Sequence, residues 1–316
     1  MDGNVTKEEK DTFVQVAEVW LPEGDSLVFA GGDYGSLDAF EEASRATSFA
    51  KGEGLPGKAW AEARPVVLKE FDGSYFKRTE AAKAAGLTAA MAIPIFAKST
   101  LKAVLVVLCG DDALRIGAIE VWTEDQDGLL MLHDGYYGAA KEFEFVSRHT
   151  HFPKGQGLPG AVWSALTPIL MRDLGSGYRF VRASAAGAAG LTTGLGLPVP
   201  VPGDQQFVMT LLSAIGTPLA RRFEIWSVTP ERMGNPARAA LMDGVCEREG
   251  TLWQDDGSGE GRPTAAAWKG HIGQVLGKGV PVIVRGSAGL PAGYSSFVGL
   301  PLYRSGDFSH IVAWYN

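Results

Sequence analysis

Two sets of residues in this chain place aromatic and cationic groups at matched positions. Trp60, Tyr75, Phe76 and Arg78 return as Trp163, Tyr178, Phe180 and Arg182. Aromatic faces beside a guanidinium at the start of a helix can hold a planar or anionic small molecule. These eight residues are therefore the expected ligand contacts, with Arg78 and Arg182 orienting an anionic group. A competing reading makes the two tryptophans core anchors, because Trp buries a large area, and leaves the arginines at the surface.

A second constellation is Glu-(Val/Ile)-Trp, found as Glu18–Trp20, Glu120–Trp122 and Glu224–Trp226. The period of two puts carboxylate and indole on one strand face. A carboxylate there needs a partner, and a satisfied structural acceptor, or the sheet's wet face, is the favoured reading over ligand contact. Other chemistry is poorly provided for. His149 and His151 have no ligand partners at metal spacing and read as a surface pair. No phosphate-binding Gly-x-x-x-x-Gly-Lys-Ser/Thr and no Gly-x-Ser-x-Gly elbow occurs. Cys109 and Cys246 are too few for a disulfide scaffold and read as reduced thiols, Cys109 in a strand and Cys246 in a turn-rich stretch. No catalytic residue and no metal site is expected.

The elements that must position these residues repeat along the chain. Residues 40–68 match 143–171 at 14 of 29 ungapped positions, including Lys51-Gly52-x-Gly54-Leu55-Pro56-Gly57 on Lys154-Gly155-x-Gly157-Leu158-Pro159-Gly160. A fainter third copy keeps Gly270-His271-Ile272-Gly273, Pro281 and Ala292-Gly293 followed by Val298–Leu302, but lacks the stretch equivalent to 76–84. Three units follow, 1–110, 111–215 and 216–316. Only Asp111 to Arg115 separate the first two, so the units are expected to pack closely.

Within one unit, Val14–Leu21 and Ser26–Ala30 read as a hairpin, and the stretch before Lys51 as part loop. Residues 56–63 read as a short helix ended by Pro65, Val66–Leu68 as a strand, and 76–85 as a helix closed by Gly86. Ala90–Phe96 and Lys102–Cys109 form a hairpin around Lys98-Ser99-Thr100. The order β-β-α-β-α-β-β predicts an α+β fold, antiparallel sheets flanked by helices.

Composition is globular: 46% hydrophobic and 21% charged, with a net charge of −7. The acidic balance gives no basic footprint for nucleic acid. No apolar run approaches the roughly 20 residues of a membrane helix, and residues 1–10 are too polar for a signal peptide. A cytoplasmic protein with no membrane partner is expected.

Phe49-x-x-Gly52-x-Gly54-Leu55-Pro56-Gly57-x-x-Trp60, Pro65, Ala85-Gly86-Leu87 and Ala92–Ile95 together resemble the GAF sensory domain, clearly in the first two units and weakly in the third. The resemblance implies PAS/GAF-like sheets with a small-molecule pocket under the helices, and sensing or scaffolding in place of catalysis. The cyclic-nucleotide signature is absent, and the cysteines suit neither bilin attachment nor the methionine-sulfoxide reductase branch. The expectation is a non-enzymatic sensory or regulatory protein. It would bind an unidentified small molecule in units one and two and report to a separate signalling protein. The alternative is a purely structural interaction module with filled pockets. No cofactor is assigned.

Overall fold

Three separate antiparallel sheets, each carrying its own helices, make up the chain. The computed structural model describes residues 12–110, 113–176, 179–232, 235–246, 250–253 and 261–316. The first repeat runs β1 (Val14–Glu23), β2 (Ser26–Asp33), α1 (Asp38–Arg45), β3 (Ser48–Ala50), α2 (Gly54–Glu62), β4 (Val66–Leu68), α3 (Thr79–Ala84), β5 (Leu87–Ala97) and β6 (Thr100–Gly110). The second runs β7 (Ile116–Glu124), β8 (Leu130–Gly138), α4 (Lys141–Arg148), α5 (Gly157–Ala165), β9 (Ile169–Arg172), α6 (Ala183–Ala188), β10 (Leu191–Val199) and β11 (Phe207–Ala214). The third runs β12 (Arg222–Thr229), β13 (Arg238–Cys246), β14 (Gly250–Thr251), β15 (Thr264–Ala266), α7 (Gly270–Lys278), β16 (Val282–Arg285), β17 (Ser296–Arg304) and β18 (Asp307–Tyr315).

The sheet orders are β3-β2-β1-β6-β5-β4, β8-β7-β11-β10-β9 and β14-β13-β12-β18-β17-β16. The same arrangement thus recurs: first strand beside last, the preceding hairpin strand next, and the short post-proline strand at the edge. Between β16 and β17 no helix forms, so the deletion in the third repeat removes the counterpart of α3 and α6. Two local expectations are corrected. The stretch before Lys51 is a helix and a short strand, because Phe40 and Ser44 fall on one buried face while Glu41 and Arg45 pair at i,i+4. Cys246 ends strand β13 and is buried; Cys109 is buried in β6. Residues 111 and 112, part of the first junction, lie outside the described residues.

Alternation along the strands sends side chains to two different cores. On one face Val16, Trp20, Val104, Val106 and Leu108 meet the helices of their own repeat. On the other, Val14, Ala17, Val19, Met91, Ile93, Leu105 and Val107 join residues of the other two sheets in one continuous cluster. Leu105, Met209 and Val312 hold equivalent positions in the three repeats, and each is fully buried in that shared cluster. Burial on both faces is why β5, β6 and β11 read as near-continuous apolar runs, a pattern usual in parallel sheets but produced here by sheets covering one another.

The repeats close head to tail. Lys69, Arg172 and Arg285 are equivalent residues at the ends of the edge strands. Lys69 Nζ lies 2.7 Å from Asp134 of the second repeat. Arg172 Nη2 lies 2.5 Å from Asp243 of the third, and Arg285 Nη1 lies 2.5 Å from Glu41 of the first. Each repeat therefore grips the next and the third returns to the first, the heterologous contact that closes a ring. Near the middle, Ile93–Phe96, Leu197–Pro200 and Leu300–Tyr303 surround one small apolar space. Pro94, Pro198 and Pro301 are tolerated in β5, β10 and β17 because the edge strands pair only with earlier residues of each, leaving the proline free of a ladder donor on that side.

The second Gly of the Gly-Leu-Pro-Gly run is held by space. A Cβ on Gly57, Gly160 or Gly273 would stand 2.1, 2.3 or 2.2 Å from the carbonyl oxygen of Ala50, Pro153 or Ala266. The third repeat drops Leu-Pro yet keeps this glycine. Gly160→Ala should cost about 1–3 kcal/mol or more, since backbone must move to admit it. Gly155→Ala, with open space around its Cβ but a φ of +85°, should cost about 1–2 kcal/mol by left-handed strain alone. Urea unfolding of both variants checks the ranking.

Candidate functional site

The space between each sheet and its helices is occupied by a buried carboxylate and a guanidinium. In the first repeat Glu18 on β1 and Arg78, just ahead of α3, are both buried. Arg78 Nη1 donates to Glu18 Oε1 and to Ser44 Oγ, and Nη2 donates to Oε2 at 2.9 Å. Tyr34 Oη donates to Oε1 at 2.9 Å and Trp20 Nε1 to Oε2 at 3.0 Å. The guanidinium carbon sits 4.8–5.8 Å from the ring centres of Phe40, Trp20, Phe76 and Phe49. A cation enclosed by aromatic faces and paired bidentately is strongly held.

The second repeat copies this in detail. Arg182 Nη1 reaches Glu120 Oε1 and Ser147 Oγ, and Nη2 reaches Oε2 at 2.9 Å. Tyr137 donates at 3.0 Å, Trp122 at 3.2 Å and Thr210 at 2.6 Å to the same carboxylate. Burial raises the Glu120 pKa, but the Arg182 charge and the hydrogen bonds from Arg182, Thr210 and Tyr137 outweigh it and hold the carboxyl below its ordinary value. Burial next to these carboxylates pushes the Tyr34 and Tyr137 hydroxyls well above the usual range, so both stay protonated donors.

The third repeat has lost the segment that carries Arg78 and Arg182, yet its Glu224 is not left alone. Arg222, two residues earlier on β12, donates through Nε at 2.8 Å and through Nη2. Trp226 Nε1 and Tyr315 Oη donate at 2.8 and 2.7 Å, and His271 Nε2 lies 2.9 Å from that hydroxyl. A buried carboxylate without a cation is costly, and a local arginine replaces the deleted one.

Of the sequence-derived candidates, the structure brings Phe76 and Arg78 together in one repeat, and Phe180 and Arg182 in the other, around the glutamates. Both guanidiniums pair with their glutamate through Nη1 and Nη2, leaving only a buried Nε without an acceptor, so an anion taking the paired edge would have to displace Glu18 or Glu120. Trp60 is half-buried and Tyr75 is 37% exposed, with Lys51 and Lys58 over their rings. Trp60 packs at the margin of the first repeat's helix-side core, while the rings around Arg78 are those of Trp20, Phe40, Phe49 and Phe76. Trp163 is buried and donates to Gln206 Oε1 at 2.9 Å. Tyr178 lies outside the described residues. The glutamates are satisfied acceptors on a buried face, not a wet one. His149 and His151 are exposed, and no group of metal-ligating side chains forms among the described residues.

Sequence reasoning missed Tyr34, Tyr137, Ser44, Ser147, Thr210, Arg222 and Tyr315. The repeat offset of 103 residues carries Tyr34 onto Tyr137 and Ser44 onto Ser147, and could have found four of them.

At the seam between the first two repeats, Arg64 Nη1 lies 2.8 Å from His133 Nε2. Asp134, Glu62 and Lys69 are close by. Partial desolvation of the ring, which keeps an exposed edge, and then the Arg64 charge lower the His133 pKa, with Asp134 and Glu62 only partly opposing. A histidine whose folded pKa is depressed stabilises the fold above its unfolded pKa, near 6.5, and loses that contribution as pH falls. His133→Gln should therefore lose less stability than the wild type between neutral pH and pH of about 5. Urea midpoints across that interval test it; parallel curves would refute it.

Beside Trp163 lies a groove of about 290 Å³ between the second and third repeats, lined by Leu166, residues 198–201 and 203–208, Tyr303, Arg304 and Ser305.

No family model and no curated protein matches the chain. Similar solved structures exist. The GAF domain of A. aeolicus nlh2 in an inactive state is 24% identical over 31% of this chain and 58% of that one, with a TM-score of 0.25. The free methionine-R-sulfoxide reductase of Neisseria meningitidis with its substrate is 20% identical over 30% of this chain and 52% of that one, TM-score 0.25. The S. aureus NreA protein mutated in its nitrate-binding site is 18% identical over 32% of this chain and 77% of that one, TM-score 0.26. The chain thus spans little more than half the length of the first two. At such TM-scores none of the likenesses carries an argument about function. Among the described residues no helix is long and apolar enough to cross a membrane.

Proposed function

We propose that this chain is a non-enzymatic, GAF-type interaction module that acts through protein contacts, the internal pockets of its first two repeats being filled by its own side chains. The observation that carries this reading is the bidentate Arg–Glu pair, sealed by aromatic rings, at the same place in two repeats. Catalysis needs a group left available to a substrate, whereas these carboxylates and guanidiniums are spent on each other. The buried thiols also fit no exchange chemistry, which needs access.

The competing reading is a small-molecule sensor whose ligand sits against Trp60, Tyr75, Phe76 and Arg78, and against Trp163, Tyr178, Phe180 and Arg182. Such a ligand would have to open a buried ion pair, at a cost of several kcal/mol. Native mass spectrometry of the purified protein separates the two. The filled-pocket reading expects the mass of the chain alone. A bound organic molecule that is lost on Arg78→Ala or Arg182→Ala substitution would overturn it.

A further inference from the structure

The three repeats are alike at the tips of their last hairpins except in one place. β5 joins β6, and β17 joins β18, through two residues each, 98–99 and 305–306. β10 joins β11 through seven, 200–206, and this longer tip lines a groove together with the tip of the third repeat's hairpin. Long connections in an otherwise tight fold are where function concentrates. The extra residues are anchored: Gln206 Oε1 accepts from Trp163 Nε1 at 2.9 Å, and Thr123 Oγ1 lies 3.3 Å from the Gln206 carbonyl.

We infer that the groove between the 200–206 loop and the hairpin tip at Arg304–Ser305 binds a small zwitterion with an apolar body. Its volume of about 290 Å³ sits at the lower edge of ligand-binding cavities, roughly 300–1,000 Å³. One part of the lining is apolar, with Leu166, Pro198, Pro200 and Val201 beside the ring of Trp163. The remainder is polar and carries opposite charges on different repeats, Asp204 on the loop and Arg304 at the end of β17. Both are exposed, and neither forms a salt bridge or side-chain hydrogen bond with a described residue. Unpaired charges of opposite sign flanking an apolar patch match a ligand with a carboxylate for Arg304 and an ammonium for Asp204. A simple anion would meet Asp204, and a simple cation Arg304, so each is disfavoured. Because the lining comes from two repeats, occupancy would also brace their seam.

Calorimetry on the full chain tests this with L-leucine and L-phenylalanine, their N-acetyl derivatives and their methyl esters. The free amino acids should bind, and removing either charge should weaken binding about tenfold or more. Arg304→Ala should weaken the free amino acids but leave the methyl esters as they were, and Asp204→Ala should do the same for the N-acetyl derivatives. Both are surface changes, and an unaltered melting temperature would verify the fold. No heat from any free amino acid at roughly 10 mM, tenfold above a 1 mM Kd, overturns the inference, as does binding indifferent to both substitutions. Loss of binding on Arg78→Ala in a variant of normal melting temperature would instead locate the ligand in the internal pocket.

Discussion

Arg78→Ala and Arg182→Ala should each lower the unfolding free energy by about 3–5 kcal/mol, because each leaves a fully buried carboxylate facing no cation. That is a large fraction of the 5–15 kcal/mol a domain usually has. The paired replacement Arg182→Met with Glu120→Leu should lose far less than the two single changes summed, since it removes both charges and keeps apolar volume. In acid the difference between wild type and Arg182→Ala should shrink. The Glu120 carboxylate holds its folded pKa below the ordinary value of 4.5, so its contribution is full above that value and is lost as pH falls through the lower folded one. Urea unfolding at neutral and acid pH measures all of this. Single-variant losses under about 1 kcal/mol, the size of a surface pair, would mean that the pair is not the filled pocket described.

The second large effect concerns the shared core. A fragment ending after the first sheet, residues 1–110, should fail to behave as a stable monomer. Its free face would present Val14, Val19, Met91, Ile93, Leu105 and Val107, which the other two sheets cover in the full chain. Soluble monomers rarely expose apolar patches of that kind. Light scattering should find association or aggregation, with dye binding to exposed apolar surface. In the full chain, Leu105→Asp, Met209→Asp and Val312→Asp should each abolish the common unfolding transition, because a charge placed in the cluster has no partner in any repeat. A monomeric fragment with cooperative unfolding, or a substitution that melts one repeat and spares the others, would show the sheets to be independent.

The salt bridges that close the ring are of another order. Lys69–Asp134, Arg172–Asp243 and Arg285–Glu41 are partly exposed. Exposed pairs contribute about 0–1 kcal/mol. They orient one repeat on the next, while the apolar cluster supplies the stability.

What the chain's own order of residues determined was local. Alternating β-branched runs, Pro65 and Gly86 marked strands and helix ends, and the 103-residue offset exposed the repetition, because those signals act between neighbours through backbone sterics and period. The missing helix of the third repeat was legible as a missing segment. Glu18 and Trp20 could be placed on one face by parity alone. Tertiary structure decided the rest. Arg78 stands 60 residues from Glu18, and nothing between them announces that a helix start will drop its guanidinium onto a strand carboxylate; read alone, an arginine beside aromatics looks available for a ligand. Arg222 carries no mark of replacing it. That both faces of these sheets are buried, one by helices and one by the sister sheets, emerged only from the fold, since helices and sister sheets demand the same apolar side chains. The groove beside Trp163 exists only where two repeats meet across a longer loop. Burial and charge pairing are properties of which surfaces come together, and that is settled by long-range packing, which no local pattern encodes.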